Sequence, residues 1–335
     1  MMSDLVTKNH KKHLVWILTV RGFGSEINNL IYAINYAKQN NLSIGVISTY
    51  WNFRYNEGLN DYFKIEEYKD PKISKLLFLY KGFINPLTYA FRKNRFSELT
   101  KQALELFIGK SKEKNIFKEN LLSYSFKRMK KLLGVESELM FEVFDDIRLF
   151  NFHQRNLDRE AFILQMNEIL LDFWKFNTET SQAIEDKKQK LNLESLVNYA
   201  VFHIRRGDKV AAATMEDRPY EVEEYVEKLS VLNPSIKTIF LMTDDYKVFL
   251  ELKEKFPNYQ IHTLSDPIST GHDQDTFNKS SPESKRKHGI DLLTELEIAR
   301  NGEIFIGSRG SNIFRLVEYF KITGCHDLSD NSNEL

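Results

Sequence analysis

A compact group of charged residues follows an apolar segment in the second half of the chain. The segment Tyr199–Ile204 runs directly into the sequence RRGDK at Arg205–Lys209. A guanidinium group is a planar fork that can bind two phosphate oxygens at once, each charge-assisted hydrogen bond contributing about 1.5–3 kcal/mol. Gly207 permits a close backbone approach, and Asp208 can orient an arginine or a ligand hydroxyl. This pattern predicts a phosphate-binding pocket, with a surface ion-pair cluster as the alternative.

Two turns of small residues are also suited to anions. Gly22–Ser25 (GFGS) precedes an apolar pattern with helical spacing, and Gly307–Asn312 (GSRGSN) precedes another. Free N–H groups and the positive end of the helix dipole make a helix N-terminus attractive to phosphate. Ile27 stands where a GxGxxG motif would have its third glycine. Each turn taken alone is therefore equally compatible with an ordinary tight turn.

A pair of carboxylates, Asp244 and Asp245, follows the apolar segment TIFLM. The pair could coordinate a metal ion or accept hydrogen bonds from a ribose or base. Capping of the following helix is an equal alternative, because Thr and Asp are favoured at helix N-termini. A metal role is disfavoured, since no further acidic or histidine residue at ligand spacing accompanies the pair.

Alternating strands and helices are predicted to position these groups. The predicted strands are Tyr199–Ile204, Thr238–Met242, Tyr259–Leu264 and Ile304–Ile306, and the predicted helices are Glu221–Leu229, Tyr246–Phe256, Ile290–Asn301 and Ser311–Phe320. This alternation favours a Rossmann-like open sheet, in which ligands bind beyond the carboxyl ends of the strands. The polar stretch His272–His288 is interpreted as a long, functional loop.

The first part of the chain predicts a second open sheet. His13–Val20 has the character of a buried strand, a helix follows the first glycine turn, and Leu42–Ile47 is a second strand. From about residue 72 to 193 the pattern is mostly helical, with segments at Phe96–Phe107, Leu121–Leu133 and Arg159–Phe176. We therefore predict an α/β fold with an N-terminal domain at 1–190, which includes a helical insertion and forms the acceptor side, and a nucleotide-binding donor domain at 191–335. A nucleotide diphosphate is expected between them.

Composition excludes several classes of protein. The 335 residues carry 47 Lys and Arg against 47 Asp and Glu, so a broad nucleic-acid or membrane-surface binder is disfavoured. The single cysteine, Cys325, rules out an intrachain disulfide and a cysteine-rich zinc site. No apolar run approaches the roughly 20 residues that a membrane span needs. The eight-residue apolar run His13–Val20 is short for a signal peptide, so a soluble, cytoplasmic protein is expected.

Taken together, these motifs resemble the α1,6-fucosyltransferase superfamily, which includes core fucosyltransferase and the rhizobial chitooligosaccharide fucosyltransferases. The resemblance follows the chain in order. It is carried by GFGSEINNLIYAINYA with WNFRY, HIRRGDKV, EVEEY, TDD and GIDLLTELEIARNGEIFIGSRGSNIFRL. The combination of RRxDK, TDD and the last serine turn is specific, whereas the first turn alone is not.

The resemblance implies a GT-B-like enzyme that transfers L-fucose from GDP-β-L-fucose to a hydroxyl of an oligosaccharide or glycoconjugate. Transfer would invert configuration, form an α1,6 linkage and need neither metal nor cofactor. Catalytic roles are implied for Arg206, Asp208 and Lys209. Donor-binding roles are implied for Gly22, Gly24, His203, Arg205, Arg206, Tyr225, Asp244, Asp245, Glu295, Ser311 and Asn312.

Two departures from the family pattern affect the expected site. Alanines replace the carboxylate expected soon after Lys209, so Glu216 is the preferred base and Asp217 its alternative. Glu295 stands where the family has an aspartate, with Asp291 one helical turn earlier. An α1,2-fucosyltransferase and a GDP-sugar-binding protein without transferase activity are the alternative functions, and a metal-dependent transferase using the TDD sequence is disfavoured.

Overall fold

The structure is a computed structural model that describes residues 13–48, 51–65, 137–190, 192, 196–207 and 218–329. The chain divides into two compact units. Among the described residues, the first unit holds 13–18, 32–48 and 137–153, and the second holds the rest. The boundary at residue 190 between an acceptor domain and a donor domain stays a prediction.

The first unit is built on a parallel sheet of order β2-β1-β3. Its strands are β1 (His13–Ile17), β2 (Ser43–Ile47) and β3 (Ser137–Leu139), with helix α1 (Phe23–Gln39) between the first two strands. Helix α2 (Met140–Leu157) follows the third strand. In this unit Asn35 Nδ2 donates to Asn151 Oδ1 at 2.8 Å, so a buried polar pair links α1 to α2.

The second unit contains a parallel sheet of order β6-β5-β4-β7-β8. Its strands are β4 (Tyr199–Ile204), β5 (Thr238–Thr243), β6 (Gln260–Thr263), β7 (Ile304–Gly307) and β8 (Cys325–Asp327). Its helices are α3 (Arg159–Phe173), α4 (Thr178–Lys190), α5 (Val222–Leu232), α6 (Tyr246–Lys255), α7 (Gln274–Lys279), α8 (Pro282–Asn301) and α9 (Asn312–Lys321). The predicted fold class, α/β with two open parallel sheets, is confirmed; of the predicted helical middle segment the structure describes 137–190, which is mostly helical.

The central strands form because their sequences are apolar on both faces. All six residues of β4 (YAVFHI) are buried, as expected for a parallel strand covered on both sides. Val201 on β4 lies in register with Phe240 on β5 and Phe305 on β7. Burial of these large side chains fixes the register, since a slip of one residue would exchange the two faces.

Short polar residues start the helices that follow the strands. The side chains of Asp245 and Ser311 accept backbone N–H groups at the starts of α6 and α9, and Asp273 and Ser281 do so for α7 and α8. Each cap satisfies a donor that the first turn would otherwise leave unpaired, contributing roughly 1 kcal/mol.

The interpretation of His272–His288 as a loop is wrong. Helix α7 occupies Gln274–Lys279, and α8 already begins at Pro282. The start of α8 has a Ser281 cap and a proline in the first turn, which are standard helix-start signals. The stretch reads as polar because most of its side chains lie on the surface, with Phe277 buried.

An aromatic cluster joins residues 51–65 to the start of α1 and to α3 within the second unit. Ring centroids lie 5.5 Å apart for Phe23 and Trp51, 5.6 Å for Trp51 and Tyr62, and 4.7 Å for Phe63 and Phe173. Aromatic pairs at such distances stabilise beyond their buried area. The cluster therefore anchors the first turn of α1 to residues 51–65, which in turn pack against α3.

Two predicted helical segments, Phe96–Phe107 and Leu121–Leu133, lie outside the described residues. Arg159–Phe176 is confirmed as a helix, which ends at Phe173. Across the described part of the chain, every helix is too short or too polar to cross a membrane.

Candidate functional site

The predicted site residues of the second unit gather at one edge of its sheet. The chain runs from β4 outward through β5 to β6 and then returns to β7 on the other side of β4. The strand order therefore reverses between β4 and β7, and ligands of open α/β sheets bind outside the carboxyl ends at such a switch point. Arg205–Gly207 follows β4, and Ser308–Ser311 follows β7.

The carboxylate of Asp244 organises the turn after β4. Its Oδ1 accepts the N–H of Arg206 at 2.8 Å, and its Oδ2 accepts the N–H groups of Gly207 at 3.1 Å and His272 at 3.2 Å. Arg205 Nε lies 3.7 Å from Oδ2. Asp244 thus joins two segments that are far apart in sequence.

The guanidinium of Arg206 is held in place by backbone carbonyls. Its Nη2 donates to the carbonyl oxygen of Tyr220 at 2.8 Å, and Nη1 donates to that of Arg205 at 3.4 Å. The side chain is half-buried, so its charge sits at the edge of the sheet in a fixed orientation. A cation held in this way suits a developing negative charge, because little reorganisation is needed when that charge appears.

Gly207 is required by the close approach of a second segment. A Cβ atom at this position would lie 2.4 Å from the carbonyl oxygen and 2.5 Å from the nitrogen of His272, and 2.7 Å from Asp244 Oδ2. Gly271 has a φ of +105° and donates its N–H to the Asp244 carbonyl at 2.8 Å. Two glycines therefore allow the backbones to meet.

His203 is a neutral imidazole at the end of β4. Burial lowers its pKa to about 4, with the nearby Arg205 charge acting in the same direction and Asp244 opposing them. Its ring lies parallel to that of Phe305 at a centroid distance of 6.3 Å. At neutral pH this histidine can accept or donate a hydrogen bond without adding charge.

Tyr225 and Asp245 have structural contacts in the second unit. The hydroxyl of Tyr225 donates to the carbonyl oxygen of His203 at 3.1 Å, and its ring is buried against Phe202. Asp245 Oδ1 accepts the N–H of Lys247 at 3.0 Å, so the capping alternative is confirmed for Asp245. The nucleotide contacts implied for both residues stay predictions.

Glu295 lies on α8 with its pKa well above the ordinary value of a glutamate. Burial raises this pKa most, and the neighbouring charges of Asp291 and Asp244 raise it further. Asp291 Oδ1 pairs with Lys187 Nζ at 2.5 Å. The charges of Glu295 and Asp244 are thus close enough to interact.

The N-termini of α1 and α9 lie side by side. A Cβ on Gly24 would lie 3.2 Å from the carbonyl carbon and oxygen of Asn312 and 3.0 Å from Ile313 Cδ1. Asn28 Nδ2 donates to the Asn312 carbonyl at 2.8 Å, and Ser311 caps α9 by accepting the N–H of Ile313. Two positive helix ends therefore meet, which favours binding of an anion.

One family model matches the part of the chain that contains the turn after β4. Residues 148–281, less than half of the chain, match the family of α-(1,6)-fucosyltransferase N- and catalytic domains. The chain is α1,6-fucosyltransferase-like. The resemblance and the enzyme class predicted from the motifs, fucosyltransferase, are confirmed by this match. No curated protein matches the chain in sequence.

Solved structures share the fold of this fucosyltransferase-like chain at low identity. The fucosyltransferase NodZ from Bradyrhizobium is 12% identical with a TM-score of 0.51, covering 93% of this chain and 92% of that one. NodZ α1,6-fucosyltransferase soaked with GDP-fucose is 12% identical with a TM-score of 0.50, covering 92% and 93%. An Arabidopsis thaliana FUT1 mutant in complex with GDP is 10% identical with a TM-score of 0.50, covering 97% and 72%.

The fucosyltransferase family match includes the turn after β4 and the Asp244–Asp245 pair. It does not extend to Gly22, Gly24, Glu295, Ser311 or Asn312, which stay predictions from the motifs. The candidate catalytic residues Asp208 and Lys209, and both candidate bases Glu216 and Asp217, lie outside the described residues.

Sequence reasoning missed the part that α7 plays near the first turn. Asn278 Oδ1 accepts Asn52 Nδ2 at 2.6 Å and Gln274 Nε2 at 2.9 Å, and a Cβ on Gly22 would lie 3.5 Å from Gln274 Oε1. The start of the 272–279 segment thus contacts the turn after β4, and α7 lies close to the turn before α1. The Asp273 cap was the available signal for this helix.

A buried carboxylate, Asp61, was also missed. Its oxygens accept the N–H groups of four successive residues at 2.7–3.0 Å, namely Tyr55, Asn56, Glu57 and Gly58. The loop after WNFRY is folded around this one side chain. The signal in the sequence was an aspartate a few residues after an Asn-Glu-Gly turn, a pattern in which side chains bind nearby backbone groups.

Proposed function

We propose that this chain transfers L-fucose from GDP-β-L-fucose to a hydroxyl of a glycan acceptor, with inversion and an α1,6 linkage. The observation that carries the proposal is the Arg205–Gly207 turn, fixed by Asp244 at the carboxyl end of β4 where the strand order reverses. Such a position is where open α/β sheets bind nucleotides. The match to fucosyltransferase catalytic domains supports fucose as the sugar.

Arg206 is proposed to stabilise the leaving diphosphate. When the bond between fucose C1 and the β-phosphate oxygen breaks, negative charge develops on the diphosphate, and a fixed guanidinium lowers the energy of that state. Arg205 supplies a second guanidinium on the same turn. The adjacent N-termini of α1 and α9 add partial positive charge and N–H donors.

A carboxylate between Lys209 and Pro219 is proposed as the base. As the acceptor oxygen attacks C1 from the face opposite the diphosphate, its proton passes to Glu216, with Asp217 as the alternative. General-base assistance of this kind is worth typically 10²–10⁴-fold in rate. Attack from the opposite face gives the inverted, α-configured product. Asp208 and Lys209 are proposed to orient the donor.

Chemistry without a metal ion is proposed because the aspartate pair is already engaged. Both oxygens of Asp244 accept backbone N–H groups, and Asp245 caps α6. Mg²⁺ is usually bound through one or two protein carboxylates, and the oxygens of Asp244 are already hydrogen-bonded to backbone N–H groups. The positive charge that a metal would supply is assigned to the arginines instead.

Calorimetric titration of the full chain with GDP-fucose, other GDP-sugars, UDP-sugars and ADP-sugars tests the donor. We expect GDP-fucose to bind at least about tenfold more tightly than the UDP and ADP compounds. Preference for a UDP-sugar would overturn the proposal. Linkage analysis of the fucosylated product then separates α1,6 from α1,2 transfer, the alternative that shares the HxRRGD pattern.

A GDP-sugar-binding protein without transferase activity is the second candidate, favoured by the alanines Ala211–Ala213 where a carboxylate is expected. Turnover across a panel of oligosaccharide acceptors distinguishes the two. For a transferase, Glu216→Gln lowers turnover far more than donor affinity. If Asp217→Asn has that effect instead, Asp217 is the base. Donor binding with no turnover on any acceptor supports the binding protein.

A further inference from the structure

The carboxylate of Asp244 has little capacity left for a ligand. A carboxylate offers about four lone-pair positions. Three of them are taken by the N–H groups of Arg206, Gly207 and His272. The Nε atom of Arg205 lies 3.7 Å from Oδ2. The side chain is 15% exposed. Direct hydrogen bonds from Asp244 to a ribose or base would have to displace bonds that hold the site together.

We propose that Asp244 is a positioning residue, which acts on the donor diphosphate through Arg205 and Arg206 rather than by touching the nucleoside. Its carboxylate ties the arginine turn and the Gly271–His272 segment into one rigid unit. This inference rests on the proposed function, because it assumes that the two arginines bind the diphosphate of a GDP-sugar.

The close packing of the two segments supports this role independently. Gly207 and Gly271 approach so closely that a Cβ on Gly271 would lie 3.1 Å from Gly207 Cα. The Asp244 carbonyl also accepts the N–H of Gly271 at 2.8 Å. Both the backbone and the side chain of Asp244 therefore bind the second segment. Loss of the carboxylate would therefore weaken the contact between the two segments that Gly207 and Gly271 make possible.

An asparagine cannot replace this carboxylate. Its amide has one oxygen and one NH₂ group, so either orientation turns a donor toward at least one of the N–H groups that Asp244 now accepts. The negative charge opposite Arg205 is lost as well. The geometry predicts that Asp244→Asn loosens the arginine turn while Phe202 and the other buried residues of β4 keep their packing.

Binding of GDP and GMP to the full chain, measured by calorimetry, tests the inference. GMP keeps the guanosine and one phosphate but lacks the β-phosphate. For Asp244→Asn we expect a loss of GDP affinity of about tenfold or more, and a much smaller loss of GMP affinity. The preference for GDP over GMP therefore falls. Equal losses for both nucleotides would mean that Asp244 contacts the nucleoside, and unchanged GDP affinity would mean that it positions nothing. Either result overturns the inference.

Asp273→Asn is the matched control. It removes the same charge next to His272, and asparagine caps α7 as well as aspartate does. Its GDP affinity should equal that of the parent protein. The same loss in this variant would assign the effect to net charge and overturn the inference.

Gly207→Ala keeps the proposal testable if Asp244→Asn fails to fold, which a melting curve reveals. The added methyl group would lie within 2.7 Å of the His272 backbone and of Asp244 Oδ2, so it forces the two segments apart while the charge of Asp244 is kept. We expect the same selective loss of GDP over GMP, and an unchanged preference would overturn the inference. If the parent protein itself binds no GDP, the proposed function fails first, which is a different outcome from normal GDP binding by the variants.

Discussion

At the scale of single residues, Arg206 shows how a strand end fixes a charge. Its backbone N–H binds Asp244, and its guanidinium binds the carbonyl of Tyr220. The first contact fixes the backbone of Arg206, and the second fixes its guanidinium. The fork therefore does not have to be ordered when a ligand arrives, which reduces the entropic cost of binding.

Replacement of Arg206 by alanine should abolish transfer without unfolding the protein. The variant loses the charge proposed to stabilise the leaving diphosphate, and stability falls by only about 1 kcal/mol for the lost bond to Tyr220. Arg206→Lys should restore little, because an ammonium group lacks the planar fork. Turnover and melting temperature are the measurements.

Arg300→Ala is the control for that experiment. Arg300 lies in the last turn of α8, pairs with Glu297 at 3.1 Å and stands over the ring of Phe320. Its loss should leave turnover unchanged. Near-normal turnover in Arg206→Ala would refute the assignment of this arginine.

The pH dependence of stability should carry a contribution from His203. Its pKa is about 4 in the folded protein against 6.5 for an unperturbed histidine, so the unfolded chain takes up a proton first as the pH falls. The folded state therefore loses stability between about pH 6.5 and pH 4, by on the order of 3 kcal/mol in total. Glu295, whose pKa is raised, acts in the opposite direction.

Because Glu295 opposes the effect of His203 on stability, the parent protein is compared with His203→Asn. Urea unfolding at pH 7 and pH 4.5 gives the free energy of unfolding for each. The variant should lose less stability on acidification than the parent. An equal loss in both proteins would contradict a buried, neutral His203.

At the scale of elements, local sequence signals located six of the eight described strands and most helix starts, whereas the three-residue strands β3 and β8 were not predicted. The predicted bounds of β4 agree with the structure, because a short and nearly continuous apolar run that ends at charged residues is typical of a buried parallel strand. Helix α7 and the first two turns of α8 were missed, since these stretches are polar, although the caps Asp273 and Ser281 mark the helix starts. The contact of Gly207 with His272 joins distant segments, and no local pattern encodes it.

The meeting of two helix N-termini gives a prediction for Gly24. In Gly24→Ala the new methyl group lies about 3.2 Å from the Asn312 backbone, so the start of α9 must shift by a few tenths of an ångström. Overpacking of this kind costs about 1–3 kcal/mol. We also expect weaker GDP binding, because the backbone N–H groups at the starts of α1 and α9 change their relative positions.

Urea unfolding and GDP titration of Gly24→Ala test this expectation. Gly22→Ala is the control for stability, because the nearest atom to its Cβ is Gln274 Oε1 at 3.5 Å, an ordinary contact distance. Its free energy of unfolding should stay within about 1 kcal/mol of the parent value. Equal stability of all three proteins would contradict the close packing at Gly24.

At the scale of the whole molecule, the order of strands decides where the chemistry lies. Each motif could be identified in the sequence by itself. The rule that ligands bind at the carboxyl ends of parallel strands then predicted that the motifs share one edge of the sheet. The reversal of strand order between β4 and β7 could not be predicted from the sequence, since it depends on which strand the chain returns to after β6. Assignment of the base also depends on residues 208–217, which the described residues do not include.

Amide hydrogen exchange with and without GDP tests this arrangement across the second unit. GDP at 100 times its dissociation constant stabilises the folded state by about 2.7 kcal/mol. Beyond this general effect, the largest protection should appear in four segments that are distant in sequence: 22–25, 203–207, 271–272 and 308–313. The loop 233–237, at the amino end of β5, should gain only the general effect. Because only the carboxyl edge of this sheet brings the last three segments together, strongest protection at 233–237 would place the nucleotide elsewhere and refute the site.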